Sequence, residues 1–89
     1  MRIKDGFTLR EIVGQHVVIG EGLSQVNFNK MIHMNDSAAY LWKSVEGKEF
    51  SVKDLTNLLL ERYEVTEEKA SADAAALAAK WIEAGIVTE

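Results

Sequence analysis

Proline and cysteine are both missing from the 89 residues of this chain, and each absence excludes something. Without cysteine there is no disulfide framework, no thiolate chemistry and no zinc site built on sulfur. This composition is compatible with a reducing cytoplasm. Without proline, no rigid spacer separates one part of the chain from another. The length suits one domain, so we expect a single domain over residues 1–89, with a sheet in 1–34 and helices in 35–89.

Long apolar runs are absent as well. No segment approaches the roughly 18 consecutive apolar residues of a membrane helix, and residues 1–5 do not read as a signal peptide. Hydrophobic residues nevertheless make up 47% of the chain, which is ordinary for a folded globular domain. We therefore expect a cytoplasmic protein without a membrane partner.

Positive charge is scarce in the second half of the chain. Residues 1–50 hold six Lys/Arg against six acids, whereas residues 51–89 hold four against eight, so the second half carries the whole net charge of −4. Proteins that bind nucleic acid usually cluster Lys and Arg on the element that enters the groove. The distribution argues against a nucleic-acid partner, and a winged-helix DNA-binding protein is kept only as an alternative hypothesis.

The first third of the chain has the pattern of a small antiparallel sheet. Residues 7–13 alternate apolar and polar side chains, Gly14 and Gln15 suggest a turn, and the β-branched run at 16–19 predicts the returning strand. Residues 23–29 are compatible with either an extended strand or an ordered loop. Residues 30–34 predict a short third strand at the edge of the sheet.

Capping residues predict three helices after the sheet. Asn35 is a strong N-cap for a helix that stops at Gly47. Ser51, with an acid three residues later, opens the second helix in the manner of a capping box. Thr66 opens the third helix, and Gly85 suits the position after its end. The predicted fold class is α+β: a three-stranded antiparallel sheet followed by three helices, in a winged-helix-like arrangement.

The third helix is unusually rich in alanine, with eight in the 19 residues 66–84. A period of 3.6 residues places its larger side chains on one stripe. That stripe comprises Ala70, Ala74, Leu77 and Trp81, flanked by Ala78 and Ile82. Alanine favours helix formation and close packing on the sheet; small residues equally suit a shallow groove beside the helix. Ile86 and Val87 are expected to fold back as an apolar tail.

Groups that could carry catalysis are few. His16 and His33 fall on separate predicted strands, without an acidic or sulfur partner at metal-ligand spacing, so we read both as ordinary strand residues. No nucleophile has the sequence context of a known catalytic motif. We expect neither an enzyme nor a bound cofactor or metal. Peptide or protein binding remains, because residues 30–33 form an edge strand that can pair with an extended peptide.

Two motifs carry a resemblance to a known family. The first is Met34-Asn35-Asp36-Ser37-Ala38-Ala39-Tyr40-Leu41-Trp42. The second is Ala70-x-x-Asp73-Ala74-x-x-Leu77-x-x-x-Trp81-x-x-x-Gly85-Ile86-Val87. In this order, and behind an N-terminal hairpin, they resemble the PqqD-like family of peptide-modification chaperones, also called recognition elements of ribosomally synthesised and modified peptides. The resemblance extends over residues 7–87.

This resemblance implies a function. Members bind the leader segment of a precursor peptide and deliver it to a modifying enzyme, such as a radical-SAM protein, or to a leader peptidase. The leader pairs with the third strand and lies between that strand and the third helix. Carried over by position, the peptide-binding residues are Asn29, Lys30, Met31, Ile32 and His33 on the strand, and Asp73, Ala76, Leu77 and Lys80 on the helix, with Trp81 supporting the wall.

Some motif residues are better explained by the fold than by ligand binding. Asn35, Ser37, Ala38 and Trp42 are expected to be cap and core. For Asp73 two roles stay open, since it can hold the helix to the sheet or accept a hydrogen bond from the leader.

The resemblance is to the family and not specifically to its member in pyrroloquinoline quinone synthesis. That member has Pro-Glu-Gly before its third strand, where this chain has Gly20-Glu21-Gly22. A third hypothesis, besides leader and DNA binding, is a homo-oligomeric structural module, in which two copies pair through the edge strand.

Overall fold

A computed structural model describes residues 1–20 and 31–89. Its elements in chain order are β1 (Arg2–Ile3), β2 (Phe7–Ile12), β3 (Gln15–Gly20), β4 (Met31–Met34), α1 (Asp36–Val45), α2 (Val52–Arg62), α3 (Glu67–Glu83) and β5 (Val87–Thr88). Strands β2, β3 and β4 form a three-stranded antiparallel sheet in that order. The predicted α+β class, with this sheet and three helices, is confirmed. The expectations for residues 21–30, including the ambiguous segment 23–29 and the start of the third strand, lie outside the described residues.

Strand β3 occupies the centre of the sheet. Its consecutive residues Val17 and Val18 are both buried, although their side chains point to opposite faces. Across from it on β4, Ile32 pairs with Val18 and Met34 pairs with His16. A strand buried on both faces, flanked by β2 and β4, leaves those two as the edges among the described strands.

The turn between β2 and β3 lies one residue earlier than predicted. Ile12 pairs with Gln15, so Val13 and Gly14, not Gly14 and Gln15, are the two turn residues. Both have positive φ, 51° and 76°, as in the two-residue turns whose twist matches that of the strands. Gly14 adopts this conformation without strain. The turn forms at Gly14 even though the other turn residue, Val13, is β-branched.

The three predicted helix starts are confirmed by their caps. The side chain of Asn35 accepts a hydrogen bond from the backbone N–H of Ala38 at 2.8 Å. Ser51 and Asp54 form both halves of a capping box. The Thr66 hydroxyl accepts from the N–H of Lys69 at 3.2 Å. Because each cap needs only residues within one turn, local sequence was sufficient to predict it.

An aromatic cluster forms the centre of the core. Trp42 and Trp81 meet edge to face at 5.3 Å between ring centroids, and Phe50 packs against Trp81 in the same way at 6.3 Å. On α3, three members of the predicted stripe, Ala70, Ala74 and Trp81, are buried and Leu77 is partly buried; the flanking Ala78 is buried as well. The helix packs against α2 and buries Ala70, Ala74 and Ala78.

A second, two-stranded sheet was not predicted. β1 pairs antiparallel with β5, placing Arg2 beside Thr88 and Ile3 beside Val87. Ile86 and Val87 are buried, as expected for the apolar tail. Strands of two residues carry too little periodicity to be detected in a sequence. Among the described helices, none is long and apolar enough to cross a bilayer.

Candidate functional site

A cleft of about 330 Å³ opens between the start of α1 and the exposed side of α3. Its lining comes from three helices and from the junction that follows β4. The lining residues are Asn35, Ser37, Ala38, Leu41, Leu59, Asp73, Ala76, Leu77 and Lys80. Four of the predicted helix residues, Asp73, Ala76, Leu77 and Lys80, are therefore brought together on one wall.

The cleft has an apolar floor and a polar rim. Ala38, Leu41 and Leu59 are buried at its base, and Leu77 is partly exposed on the α3 side. The carboxylate of Asp73 and the ammonium of Lys80 belong to the exposed wall. An apolar floor with a few polar groups around it can accept one or two apolar side chains while hydrogen bonding the backbone that carries them.

Asp73 pairs within its own helix. Its Oδ2 lies 3.4 Å from the Nζ of Lys69, one turn earlier, and both side chains are more than half exposed. An exposed pair of this spacing contributes only about 0.3–0.5 kcal/mol. Within residues 1–20 and 31–89, no hydrogen bond or ion pair joins Asp73 to the sheet. Two roles were predicted for Asp73. Among the described residues, no such contact supports the role in which it holds the helix to the sheet.

Strand β4 contributes an edge that no other described strand covers. It pairs with β3 on one side, and among the described strands nothing pairs with its other side. Alternate residues of such a strand direct their N–H and C=O groups outward, where an extended peptide can pair with them. Met31 is 52% exposed and His33 is exposed, while Ile32 packs inward against the core.

The β4 side chains do not share the lining of the α1–α3 cleft. Within the described residues, Asn35, just after the strand, is where the sheet joins that lining. His33 instead lines a separate concavity of about 300 Å³ beside the β2–β3 turn. Among the described residues, the β4–α1 junction is thus the point at which the strand reaches the cleft.

The remaining predicted site residues have different positions. Trp81 is buried in the aromatic core, where it can support the helix wall but does not face a ligand. Asn29 and Lys30 lie outside the described residues. Asn35 acts as the helix cap, and the Ser37 hydroxyl donates to its side-chain oxygen at 3.0 Å; both residues also line the cleft.

Sequence reasoning missed two floor residues and one side-chain pair. Leu41 and Leu59 were not among the predicted site residues; their place in the cleft depends on how α1 and α2 pack beside α3, which short segments of sequence do not determine. His16 Nε2 lies 3.1 Å from Asp36 Oδ1. Spacing along the chain could not reveal this acidic partner, because the β3–β4 pairing brings the two residues together. Within the described residues, no cluster of three potential metal ligands is present.

Comparison with known proteins gives a family. The family model described as coenzyme PQQ synthesis protein D (PqqD) matches residues 15–87, well over half of the chain. Neither a search of the curated proteins nor one of the solved structures found a match. The family supplies non-catalytic accessory proteins of a peptide-modification pathway, which bind a peptide and a partner enzyme. With strand β3, the capped β4–α1 junction and the third helix all inside the matched region, the chain belongs to the PqqD family.

Proposed function

We propose that this chain is a chaperone that binds the leader segment of a ribosomally made precursor peptide by strand addition and presents it to a modifying enzyme. The enzyme would be a radical-SAM protein or a leader peptidase. The observation that supports the proposal is the continuity of two features: β4, whose outer side pairs with no other described strand, leads through Asn35 to the apolar cleft beside α3.

The open edge supports main-chain recognition. A leader in extended conformation would exchange N–H and C=O hydrogen bonds with β4 and extend the sheet to four strands. Such pairing depends little on leader side chains. It gives affinity, and the neighbouring surface must then provide the choice among peptides.

The α1–α3 cleft supports side-chain selection. Its floor of Ala38, Leu41 and Leu59 would receive an apolar leader residue, and Leu77 would cover it from the helix side. Burying one such side chain fully is worth about 1.5–3 kcal/mol. Lys80 and Asp73 on the rim offer partners for polar or charged neighbours in the leader.

Calorimetric titration with the leader of the precursor encoded beside this gene tests the cleft. Leu77→Arg should weaken binding by at least about tenfold, because a cation replaces the apolar cover. Ala76→Arg, at an exposed position on the same wall, should weaken it without disturbing the fold. Ala75→Arg adds the same side chain to the exposed opposite side of α3, outside the cleft lining, and should leave binding unchanged. Equal affinity in all three variants would overturn the cleft assignment.

Backbone methylation of the leader tests strand addition. A leader that is N-methylated at alternate residues keeps its side chains but loses every second N–H donor. One of the two alternating sets should abolish binding, while the other has a much smaller effect, because only alternate residues face β4. If neither set weakens binding, the leader does not pair with β4.

The other two hypotheses give different results. A DNA-binding protein would shift a random duplex in a gel, with an affinity that falls steeply as salt rises. A homo-oligomer would show a sedimentation coefficient that rises with concentration in the absence of leader. No contact in the described residues favours either one.

A further inference from the structure

A second concave surface, of about 660 Å³, lies on another face of α1. It is bounded by β3, by α1 and by the end of α2. Its lining residues are His16, Asp36, Ala39, Tyr40, Lys43, Ser44, Arg62 and Tyr63. None of them lines the α1–α3 cleft, so the two surfaces are separate.

Two cations on this surface have no carboxylate partner within the described residues. The guanidinium of Arg62 lies 4.7 Å from the centroid of the Tyr40 ring, a cation–π contact that leaves its N–H donors available at the edge. Lys43 is exposed one turn further along α1 from Tyr40. The nearby carboxylate of Asp36 is 3.1 Å from His16. In a chain of net charge −4, the two cations of this surface outnumber the one carboxylate, Asp36, that lines it.

Hydrogen bonds and ring contacts hold the side chains of this surface in place. The Tyr40 hydroxyl donates to the carbonyl of Leu58 at 3.2 Å, and the Tyr40 ring meets Tyr63 nearly perpendicular at 6.2 Å. The Ser44 hydroxyl donates back to the Tyr40 carbonyl at 2.8 Å. A pre-organised group of tyrosines with an arginine is typical of the residues that dominate binding energy at protein interfaces, because little rotamer freedom is lost on contact.

We propose that this surface binds an acidic segment of a partner protein, independently of leader binding at the other face of α1. The planar fork of Arg62 would hold one carboxylate through two hydrogen bonds, and Lys43 would pair with a second. The faces of Tyr40 and Tyr63 would pack against the aliphatic parts of the same segment. Two cations match a pair of carboxylates, whereas nucleic-acid binding needs phosphate contacts along a longer basic stripe.

An ¹⁵N-HSQC titration at low ionic strength tests the proposal, with an oligoglutamate peptide as the probe and an oligolysine peptide of equal length as the control. Shifts caused by oligoglutamate should cluster at Tyr40, Lys43, Arg62 and Tyr63. The double variant Lys43→Glu with Arg62→Glu should bind roughly tenfold more weakly or worse, because both charge-assisted contacts become repulsive.

A matched control separates local contacts from overall charge. Lys48→Glu with Lys53→Glu makes the same change in net charge at exposed positions outside this surface, and it should bind as the unchanged protein does. Lys43→Glu alone, which leaves the Arg62–Tyr40 contact intact, keeps the test valid if the double variant unfolds. Equal losses in both double variants would overturn the proposal, as would shifts elsewhere.

Two further outcomes would replace this partner with another. Tighter binding of oligothymidylate than of oligoglutamate at the same residues would assign the surface to nucleic acid. Shifts of those residues that depend on protein concentration, without any peptide, would assign it to a second copy of this chain. Either result overturns the proposed occupant.

Discussion

At the scale of single residues, the turn between β2 and β3 holds Val13 in a conformation that β-branched residues rarely adopt. Its φ is 51° and the residue is 96% exposed, so no packing compensates the strain. Asn-Gly is the preferred pair for such a turn, and Gly14 is already in place. We expect Val13→Asn to raise the free energy of unfolding by about 0.5–1 kcal/mol, measured by urea denaturation.

Val13→Ala is the control for that substitution. It removes the exposed branched side chain but provides no residue that favours positive φ, and it should stabilise less than asparagine does. A lower free energy of unfolding for Val13→Asn would contradict the conformation of this turn.

Asn35 combines a structural role with a place in the cleft. Its side chain accepts from the N–H of Ala38, so Asn35→Ala should lower the free energy of unfolding by about 1 kcal/mol. Asn57→Ala, at an exposed position inside α2, is the matched control and should be neutral or slightly stabilising, because alanine is the better helix former. Thermal unfolding of the two variants distinguishes the capping effect from simple loss of an amide, and equal stability of the two would contradict it.

At the scale of secondary-structure elements, the β1–β5 sheet attaches both ends of the described chain to the core. Lys4 donates its backbone N–H to the Ile86 carbonyl at 3.0 Å, and the Ile86 side chain is fully buried. Ile86→Ala should therefore lower the free energy of unfolding by about 2–5 kcal/mol. Faster hydrogen exchange at the Lys4 amide should accompany it.

The control for this element is Thr88→Ala. Thr88 is exposed on the same strand, and its hydroxyl donates to the Arg2 carbonyl at 3.3 Å. Its loss should cost no more than about 1 kcal/mol. Similar losses for Ile86→Ala and Thr88→Ala would mean that burial of Ile86 does not hold the small sheet in place.

The sequence predicted some secondary-structure elements correctly and missed others. The helix starts were correct, because Asn35, Ser51 and Thr66 each act on N–H groups of the next turn. The β2–β3 turn was predicted one residue too late, because Gly14 can form a two-residue turn with the residue before it or with the residue after it. β1 and β5 were missed, because they exist only through pairing across almost the whole length of the chain.

At the scale of the whole molecule, the two proposed binding surfaces lie on different faces of α1. The α1–α3 cleft is lined by Ser37, Ala38 and Leu41 of this helix, and the second surface by Tyr40 and Lys43. If both proposals hold, occupation of one surface should leave the other accessible. We expect Leu77→Arg to leave oligoglutamate affinity unchanged within about twofold, because distant sites without shared contacts act independently.

The reciprocal experiment completes this prediction. The double variant Lys43→Glu with Arg62→Glu should bind the leader as the unchanged protein does, measured by the same calorimetric titration. A loss of leader affinity in that variant, with its fold intact by circular dichroism, would show that the two surfaces are coupled through α1.

The sequence by itself determined the fold class, the helix starts and the family, because these depend on local caps, on periodicity and on motifs with short spacing. The resemblance to the family, carried over by position, also selected the helix residues Asp73, Ala76, Leu77 and Lys80. Tertiary structure alone decided which of them face a cleft and that Leu41 and Leu59 form its floor. It likewise paired His16 with Asp36 and placed Arg62 over Tyr40. Those contacts join different elements, and their geometry follows from how the elements pack, which no short segment of the chain encodes.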